Sequence, residues 1–357
     1  MPAYKDEKQS TWYTQFYYTT WTGEKKKKLK RGFKKKSEAL AWEREFLNKQ
    51  QANPDMSFGS LVELYFEDME NRLRKSTIEN KKYIINLKIL PYFENMPINQ
   101  IKATHIRKWQ NELMNDESGY SETYLKSINN QITAIFNYAV KYYDLKENPC
   151  HKAGSMGKKN AEEMLFWTKE EYDKFIDSIS DKPQSKIAFE TLYWTGMRIG
   201  ELMALTLQDV DFDNKTITIN KSIQRLNKED IITPPKTPKS NRVITIADFL
   251  SDDLKTYTSE MLYELHAKDR IFPFTKFFLH KEMDRGCKKS GVKRIRLHDL
   301  RHSHASLLVE MGFSPLLIAE RLGHEKVETT MNTYSHLYPN KQNQIASALQ
   351  NLVTESN

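Results

Sequence analysis

Two polar breaks constrain this chain more than anything else in it. Gln50–Ser57 (QQANPDMS, with Pro54) and His151–Glu163 (HKAGSMGKKNAEE, with two glycines) carry little apolar content and read as linkers. They cut 357 residues into three stretches with different hydrophobic periods, and a chain of this length is better served by two or three cores than by one. The divisions expected are 1–52, 56–150 and 164–357.

The first stretch is strand-rich and basic. TWYTQFYYTTW (Thr11–Trp21) is dense in aromatic and Thr residues, which favour strands, and Thr22-Gly23 offers a turn. Between Glu24 and Lys36 there are nine Lys/Arg and one acid. Ser37 is placed to cap a helix through Ala39, Leu40, Trp42, Phe46 and Leu47. A basic strand ribbon is thin enough to enter a DNA groove. Lys25, Lys27, Lys30, Arg31 and Lys35 are the candidate contacts.

The second stretch has the helical period. Phe58, Leu61, Val62, Leu64, Tyr65 and Met69 form one stripe. Ser76 and Glu79 read as a capping box before Tyr83, Ile84, Leu87 and Leu90. Thr104 reads as the cap of a helix through Ile106, Trp109 and Leu113. Ser121 starts a longer one through Leu125, Ile128, Ile132, Ile135, Phe136, Ala139 and Val140, which Asn148-Pro149 stops. This predicts a four-helix unit with exposed cations, Arg74 and Lys75 being its candidate DNA contacts. Thr168 and Glu171 form another capping box and open the third stretch.

Composition narrows the classes. The net charge of +8 fits a polyanionic partner, because each cation placed on a phosphate releases counterions. No apolar run reaches the ~20 residues that span a bilayer, and MPAYKDEKQS has no apolar core of a signal peptide. Cys150 and Cys287 are far apart, which argues against a disulfide framework or a cysteine zinc site. The reading is cytoplasmic, with no membrane.

Four pieces of the third stretch carry chemistry. In TGMRIGELMALTLQDVDF (Thr195–Phe212), Arg198 follows Gly196 at the start of a helix, where an anion can be held. Thr216–Asn220 and Arg242–Ile246 alternate like paired strands, and their connection holds Lys236 and Lys239, either of which could reach a leaving alkoxide. In LHDLRHSHASLLVEMG (Leu297–Gly312), His298 and Arg301 share a helical face. His302 stands four residues after His298, but Asp299 occupies the position that a zinc-protease motif gives to glutamate, so no metal is expected. In AERLGHEKVETTMNTYSHLYP (Ala319–Pro339), Gly323 ends a helix before His324. Tyr334 follows ten residues later and is able to act as a covalent nucleophile.

Together these pieces resemble the tyrosine recombinase family, phage-type integrases in particular. The resemblance rests on RIGEL (Arg198–Leu202), HDLRH (His298–His302), LGH (Leu322–His324) and YSH (Tyr334–His336), in that order and spacing. It covers residues 164–340, and the two earlier stretches match integrase DNA-binding units by type. The resemblance implies a multidomain fold. Its parts are a small α/β arm-binding unit (three-stranded sheet plus helix), an all-α four-helix core-binding domain, and a mainly α catalytic domain with a small β-hairpin or sheet.

It also implies a site-specific recombinase that integrates and excises a phage or other mobile element through a 3′-phosphotyrosyl intermediate. Arg198 and Arg301 would clamp the phosphate and Tyr334 would attack it. His298 would be the acid/base partner, and His324 would hydrogen-bond the phosphate. Lys236, preferred to Lys239, would protonate the 5′ oxygen. Glu201 would orient a catalytic Arg or His. The bond energy stays in the phosphotyrosine, so no cofactor, metal or ATP is required. The implied partners are double-stranded DNA with core-type and arm-type attachment sites, a homotetramer on that DNA, a DNA-bending protein and a directionality factor, at the bacterial nucleoid. Ile345, Leu349 and Leu352 form a stripe in the tail that would dock on a neighbouring protomer. A type IB topoisomerase activity and a regulator without catalysis remain open alternatives.

Overall fold

The computed structural model describes residues 3–7, 9–19, 25–50, 55–159, 164–226, 229–235, 237–261 and 265–334. The chain divides into two units, Met1–Glu162 and Glu163–Asn357.

The first unit begins with an antiparallel sheet, β1 (Ala3–Asp6), β2 (Thr11–Thr19) and β3 (Lys25–Phe33), in that order. Period-2 alternation splits β2 between two faces. Phe16 and Tyr18 pack on Phe46 of helix α1 (Lys36–Gln50), and Thr14 hydrogen-bonds the buried Glu43. Tyr13 and Tyr17 stand on the open face, where Tyr13 stacks on Tyr4 at 5.3 Å. Register then sorts the lysines. Lys25 and Lys27 pair with Thr19 and Tyr17 and share the open face, whereas Lys28 lies over Phe46 and Lys30 sits opposite Thr14, both on the helix side. Arg31 reaches the open face across a bulge, over the Tyr13 ring. Ser37 is not the cap of α1. The helix begins at Lys36, and the Glu38 carboxylate reaches back to accept the N–H groups of Lys34 and Lys35. The expected Thr22-Gly23 turn lies outside the described residues.

Four long helices follow: α2 (Phe58–Met69), α3 (Lys75–Lys88), then after a single turn α4 (Leu90–Phe93), α5 (Ala103–Met114) and α6 (Glu122–Tyr142). Their apolar stripes form one core around Phe58, Phe93, Trp109 and Phe136. Three details differ from what the sequence suggests. Ser76 lies inside the first turn of α3, with Arg74 as its N-cap. Thr104 lies inside α5, where the Lys102 N–H is taken by His105 Nδ1. Asn148-Pro149 does not end α6; Asn148 caps a short helix, α7 (Pro149–Ala153), by accepting the Cys150 N–H. Cys150, Ala153 and Met156 are buried in this core, so the packed chain runs on past His151. Arg74 and Lys75 are exposed.

The second unit opens with the Thr168–Glu171 capping box as expected, starting α8 (Lys169–Ser178). Helix α9 (Pro183–Thr195) begins on a proline, which suits a first helical position, and is buried nearly all round, so it serves as the central post of the core. After α10 (Ile199–Ala204) come β4 (Val210–Asp211) and β5 (Thr216–Ile219). The hairpin β6 (Ser222–Leu226) and β7 (Glu229–Thr233) follows, then β8 (Arg242–Thr245). The expected pairing of β5 with β8 is present. The β6–β7 hairpin lies where the sequence suggests only a connection; among its described residues it buries Ile223 alone and leaves Ile232 exposed, so its periodicity is weak. Helices α11 (Asp248–Thr256), α12 (Lys276–Ser290), α13 (Asp299–Glu310), α14 (Pro315–Leu322) and α15 (Val327–Tyr334) complete the unit. Among the described residues no helix is long and apolar enough to cross a membrane.

Candidate active site

Two glycines decide where the site lies. Helix α9 ends at Gly196 with φ 64° and α14 ends at Gly323 with φ 69°, the left-handed conformation that releases carbonyls at a helix end. A Cβ on Gly196 would stand 2.6 Å from His304 Cδ2 and 2.8 Å from Leu322 Cδ2. Only glycine therefore lets α13 and α14 close on the end of α9. Into that junction α13 projects Arg301, 3% exposed, whose Nη1 donates to Gly196 O at 2.9 Å and whose Nη2 donates to Leu322 O at 2.6 Å. A cation at two helix C-termini is favourably placed. Burial, with the nearby charges of Arg198 and Arg242, pulls its pKa down to about 9, which still leaves it charged at neutral pH.

Arg198 is the N-cap of α10, and Glu201 orients it. The Glu201 carboxylate accepts the Arg198 backbone N–H at 2.9 Å and its Nη1 at 2.8 Å. The same carboxylate binds Arg242 Nη2 at 2.8 Å. Burial opposes ionisation of Glu201, but the bonds and charge of Arg242 and the charge of Arg198 outweigh it, and its pKa falls below the usual glutamate value. Arg242 also donates to Arg321 O and Ser240 O, tying β8 to the end of α14. Arg198 and Arg301 each keep N–H groups unused among the described residues, so two guanidiniums can grip a tetrahedral anion.

Three histidines and a tyrosine surround those cations. His298 stands exposed at the start of α13, its ring edge-on to His302 at 5.3 Å. Surrounding protein, then Arg301 and Arg198, lower its pKa. His324 follows Gly323 and binds Thr330 Oγ1 through Nδ1 at 2.7 Å. Burial and then Arg301, Arg198, His302 and Arg242 push its pKa down to about 3. Tyr334 ends α15 at 1% exposure, packed against Ala305, Val309, Ile318 and Leu322. Its Oη meets His302 Nδ1 at 2.6 Å. Burial raises the phenol pKa well above 10, against a smaller lowering by Arg301.

The structure thus brings together Arg198, Glu201, His298, Arg301, His324 and Tyr334. Lys236 lies outside the described residues; Lys239 Nζ donates to Glu325 O. Two members of the cluster carry no catalytic role on sequence grounds alone. Arg242 is visible only as the Arg of Ser240-Asn241-Arg242 beside the lysines. His302 suggests a zinc ligand by its spacing from His298, and its position directly after Arg301 is the better signal.

Comparison with known proteins fits this geometry. Residues 166–341 match the phage integrase family, residues 57–114 the N-terminal SAM-like domain of phage integrases, and residues 2–50 an Arm DNA-binding domain. The ICEBs1 integrase of Bacillus subtilis (strain 168) is 36% identical over 314 residues, 84% of each chain. The integrase of Staphylococcus phage L54a is 28% identical over 84% of this chain and 94% of its own. Among solved structures, the Tn1549 transposon integrase (residues 82–397) in complex with transposon right end DNA has a TM-score of 0.66 at 18% identity, covering 84% of this chain and all of that one. A lambda integrase dimer bound to a core site has a TM-score of 0.61 at 17% identity, covering 95% of both chains. The chain belongs to the phage integrase family and is a tyrosine recombinase, an enzyme of site-specific recombination.

Proposed function

We propose that this recombinase integrates and excises a mobile element, with Tyr334 attacking a DNA phosphate to form a 3′-phosphotyrosyl link and a free 5′-hydroxyl. The observation that carries the reading is the Tyr334 phenol held beside Arg301, whose guanidinium is locked by Gly196 O and Leu322 O. Arg198 and Arg301 bind the non-bridging oxygens, where charge grows in the transition state. Glu201 holds Arg198 in place, and His324 donates to the phosphate. His298 serves as an acid/base partner. Lys236 protonates the leaving oxygen; the bond from Lys239 to Glu325 O favours Lys236 for that part.

Residues 1–52 act as the arm-type DNA-binding domain, 56–150, with the packed chain continuing to Met156, as the core-binding domain, and 164–357 as the catalytic domain. The three family matches support this division. DNA in the complexes of the Tn1549 and lambda integrases supports double-stranded DNA as the partner. Lys25, Lys27 and Arg31 offer the open sheet face to it, with Arg74 and Lys75 on the helical domain. Lys30, on the helix side of the sheet, and Lys35, just before α1, are the weaker of the expected contacts.

Tyr334 is 1% exposed as it stands, so a phosphate must be brought against it before attack. A tetramer on DNA supplies the trigger when the tail of one protomer, with Ile345, Leu349 and Leu352, docks on the next. An apolar groove of Val243, Leu308, Met311, Phe313, Leu316 and Leu317 supports that docking. A DNA-bending protein and a directionality factor complete the assembly at the nucleoid.

The test is a nicked suicide substrate carrying the attachment site. Wild-type protein is expected to form a covalent adduct on a denaturing gel, and Tyr334→Phe none. An adduct from Tyr334→Phe would sink the nucleophile assignment.

A further inference from the structure

Attack by a phenol requires that its proton leave. Among the described residues, one nitrogen lies within hydrogen-bond reach of Tyr334 Oη, and it is His302 Nδ1 at 2.6 Å. His298 is not in that position: its ring stands nearly perpendicular to that of His302 at 5.3 Å, and among the described residues it makes no hydrogen bond to Tyr334. His324 commits Nδ1 to Thr330.

The direction of the bond follows from burial. Tyr334 is 1% exposed. If His302 donated through Nδ1–H, the phenolic hydrogen would need another acceptor, and among the described residues Oη has none. A buried hydroxyl left without a partner is costly. The phenol therefore donates and Nδ1 accepts, which places the ring hydrogen of neutral His302 on Nε2.

We propose that His302 is a further catalytic residue of this enzyme, the group that takes the Tyr334 proton as the phenol attacks. The inference rests on Tyr334 being the nucleophile. In cleavage, the Oη–P bond forms while the P–O5′ bond breaks. The Oη proton passes to His302 Nδ1 and O5′ receives a proton from the general acid. In ligation each transfer reverses: the 5′-hydroxyl attacks and returns its proton to the acid, and His302 gives its proton back to the departing phenoxide. This assigns the tyrosine's proton to His302 and leaves His298 to the phosphate. As the protein stands, burial and the neighbouring His298 hold His302 at about 4, so it takes the proton only once the anionic phosphate gripped by the two guanidiniums offsets the positive charge it gains.

Two substitutions separate proton transfer from mere positioning. Asparagine sets an amide oxygen near the place of Nδ1; it can accept the phenolic hydrogen bond but cannot take up the proton. Adduct formation on the suicide substrate is measured in a single turnover for the full-length wild type, His302→Asn, His302→Ala and Tyr334→Phe. DNA binding and thermal melting check that each variant folds. Both His302 variants are expected to be slowed by about 100-fold, a usual loss for a proton-transfer group. A second substrate carries sulfur in place of the bridging 5′ oxygen. Sulfur leaves without protonation, so it restores variants lacking the general acid, such as Lys236→Ala, and should not restore His302→Asn.

If His302→Asn cleaves within about three-fold of wild type while Tyr334→Phe is inert, far short of the loss a proton-transfer group shows, His302 only positions the phenol and the inference fails. It fails equally if the sulfur substrate rescues His302→Asn. If Tyr334→Phe itself forms the adduct, the nucleophile reading fails and takes this inference with it.

Discussion

Lys25 and Lys27 stand exposed on the open face of the β2–β3 ribbon, whereas Arg301 is enclosed at the junction of three helices with two carbonyls on its guanidinium. Both regions offer cations to an anion. On the ribbon the charge is solvated, held on long flexible stems, and acts through number and spacing. In the pocket Arg301 is fixed by two carbonyls and Arg198 by the Glu201 carboxylate, and their fork geometry matters as much as their charge. The contrast implies that the two regions tolerate change very differently.

Arg301→Lys is the sharpest way to break the comparison. An ammonium cannot serve Gly196 O, Leu322 O and a phosphate in fixed directions. Adduct formation should fall by at least about 100-fold. Urea denaturation should show a loss on the order of 3 kcal/mol, the usual scale when one member of a buried charged network is disturbed. Lys27→Arg on the ribbon, also a cation-for-cation change, should leave DNA affinity within about two-fold, because a solvated phosphate contact asks only for charge. Equal tolerance at the two positions would remove the distinction.

Gly196→Ala tests the junction without touching charge. The added methyl meets His304 and Leu322 and must accept φ 64°. Overpacking and left-handed strain together should cost about 2–4 kcal/mol in urea denaturation. Adduct formation should fall as well, since Gly196 O fixes Arg301.

Much of the site is legible in the sequence because its residues sit in short contiguous motifs. Arg198 and Glu201 are three apart, and their mutual bonds are local to one turn of helix. His324 follows the helix end that places it, and Arg301, although its carbonyl partners are distant, stands inside the contiguous HDLRH motif. Arg242 is hidden because its partners, Glu201 and the Arg321 carbonyl, are distant in sequence and meet only through β8. His302 is ambiguous because histidines four apart also suit a metal, and only the fold brings Tyr334 to Nδ1. Fold details escape where local signals are ambiguous. Ser76 and Thr104 look like caps, yet burial of Ile78 and Ile106 starts each helix earlier than either residue. The β6–β7 ribbon gives almost no signal because it buries so little.

Acid should separate the regions further. Burial holds His304 at about 3, His324 at about 3 and His302 at about 4, against an ordinary value near 6.5. Between those values and 6.5 the unfolded chain binds protons that the folded chain refuses, so stability rises with pH across that window and is lost as pH falls through it. Each such histidine contributes up to about 1.4 kcal/mol per pH unit. Melting of the Glu163–Asn357 unit should therefore drop steadily from about pH 7 to about pH 5. His304→Gln should flatten the slope, and a slope unchanged by it would mean that His304 is not held neutral by burial.

The smallest effects belong to the ribbon, where register makes a distinction that composition cannot. Lys27 pairs with Tyr17 on the open face, while its neighbour Lys28 lies over Phe46 on the helix side at 5.3 Å. Each phosphate contact contributes about 0.9 to the slope of log affinity against log salt on duplex DNA. Lys27→Ala should weaken arm-site binding by a few-fold and reduce that slope by about one. Lys28→Ala removes the same formal charge one residue away and should leave the slope unchanged, apart from a small loss of packing on Phe46. Titrations at several salt concentrations distinguish the two. Equal slopes would mean that the run acts as a diffuse cloud of charge, in which case the open face has no privileged role and the ribbon is unlike the pocket in a still deeper way. Unequal slopes would show that strand alternation selects which lysines meet DNA, so that even the solvated region depends on geometry, one face at a time.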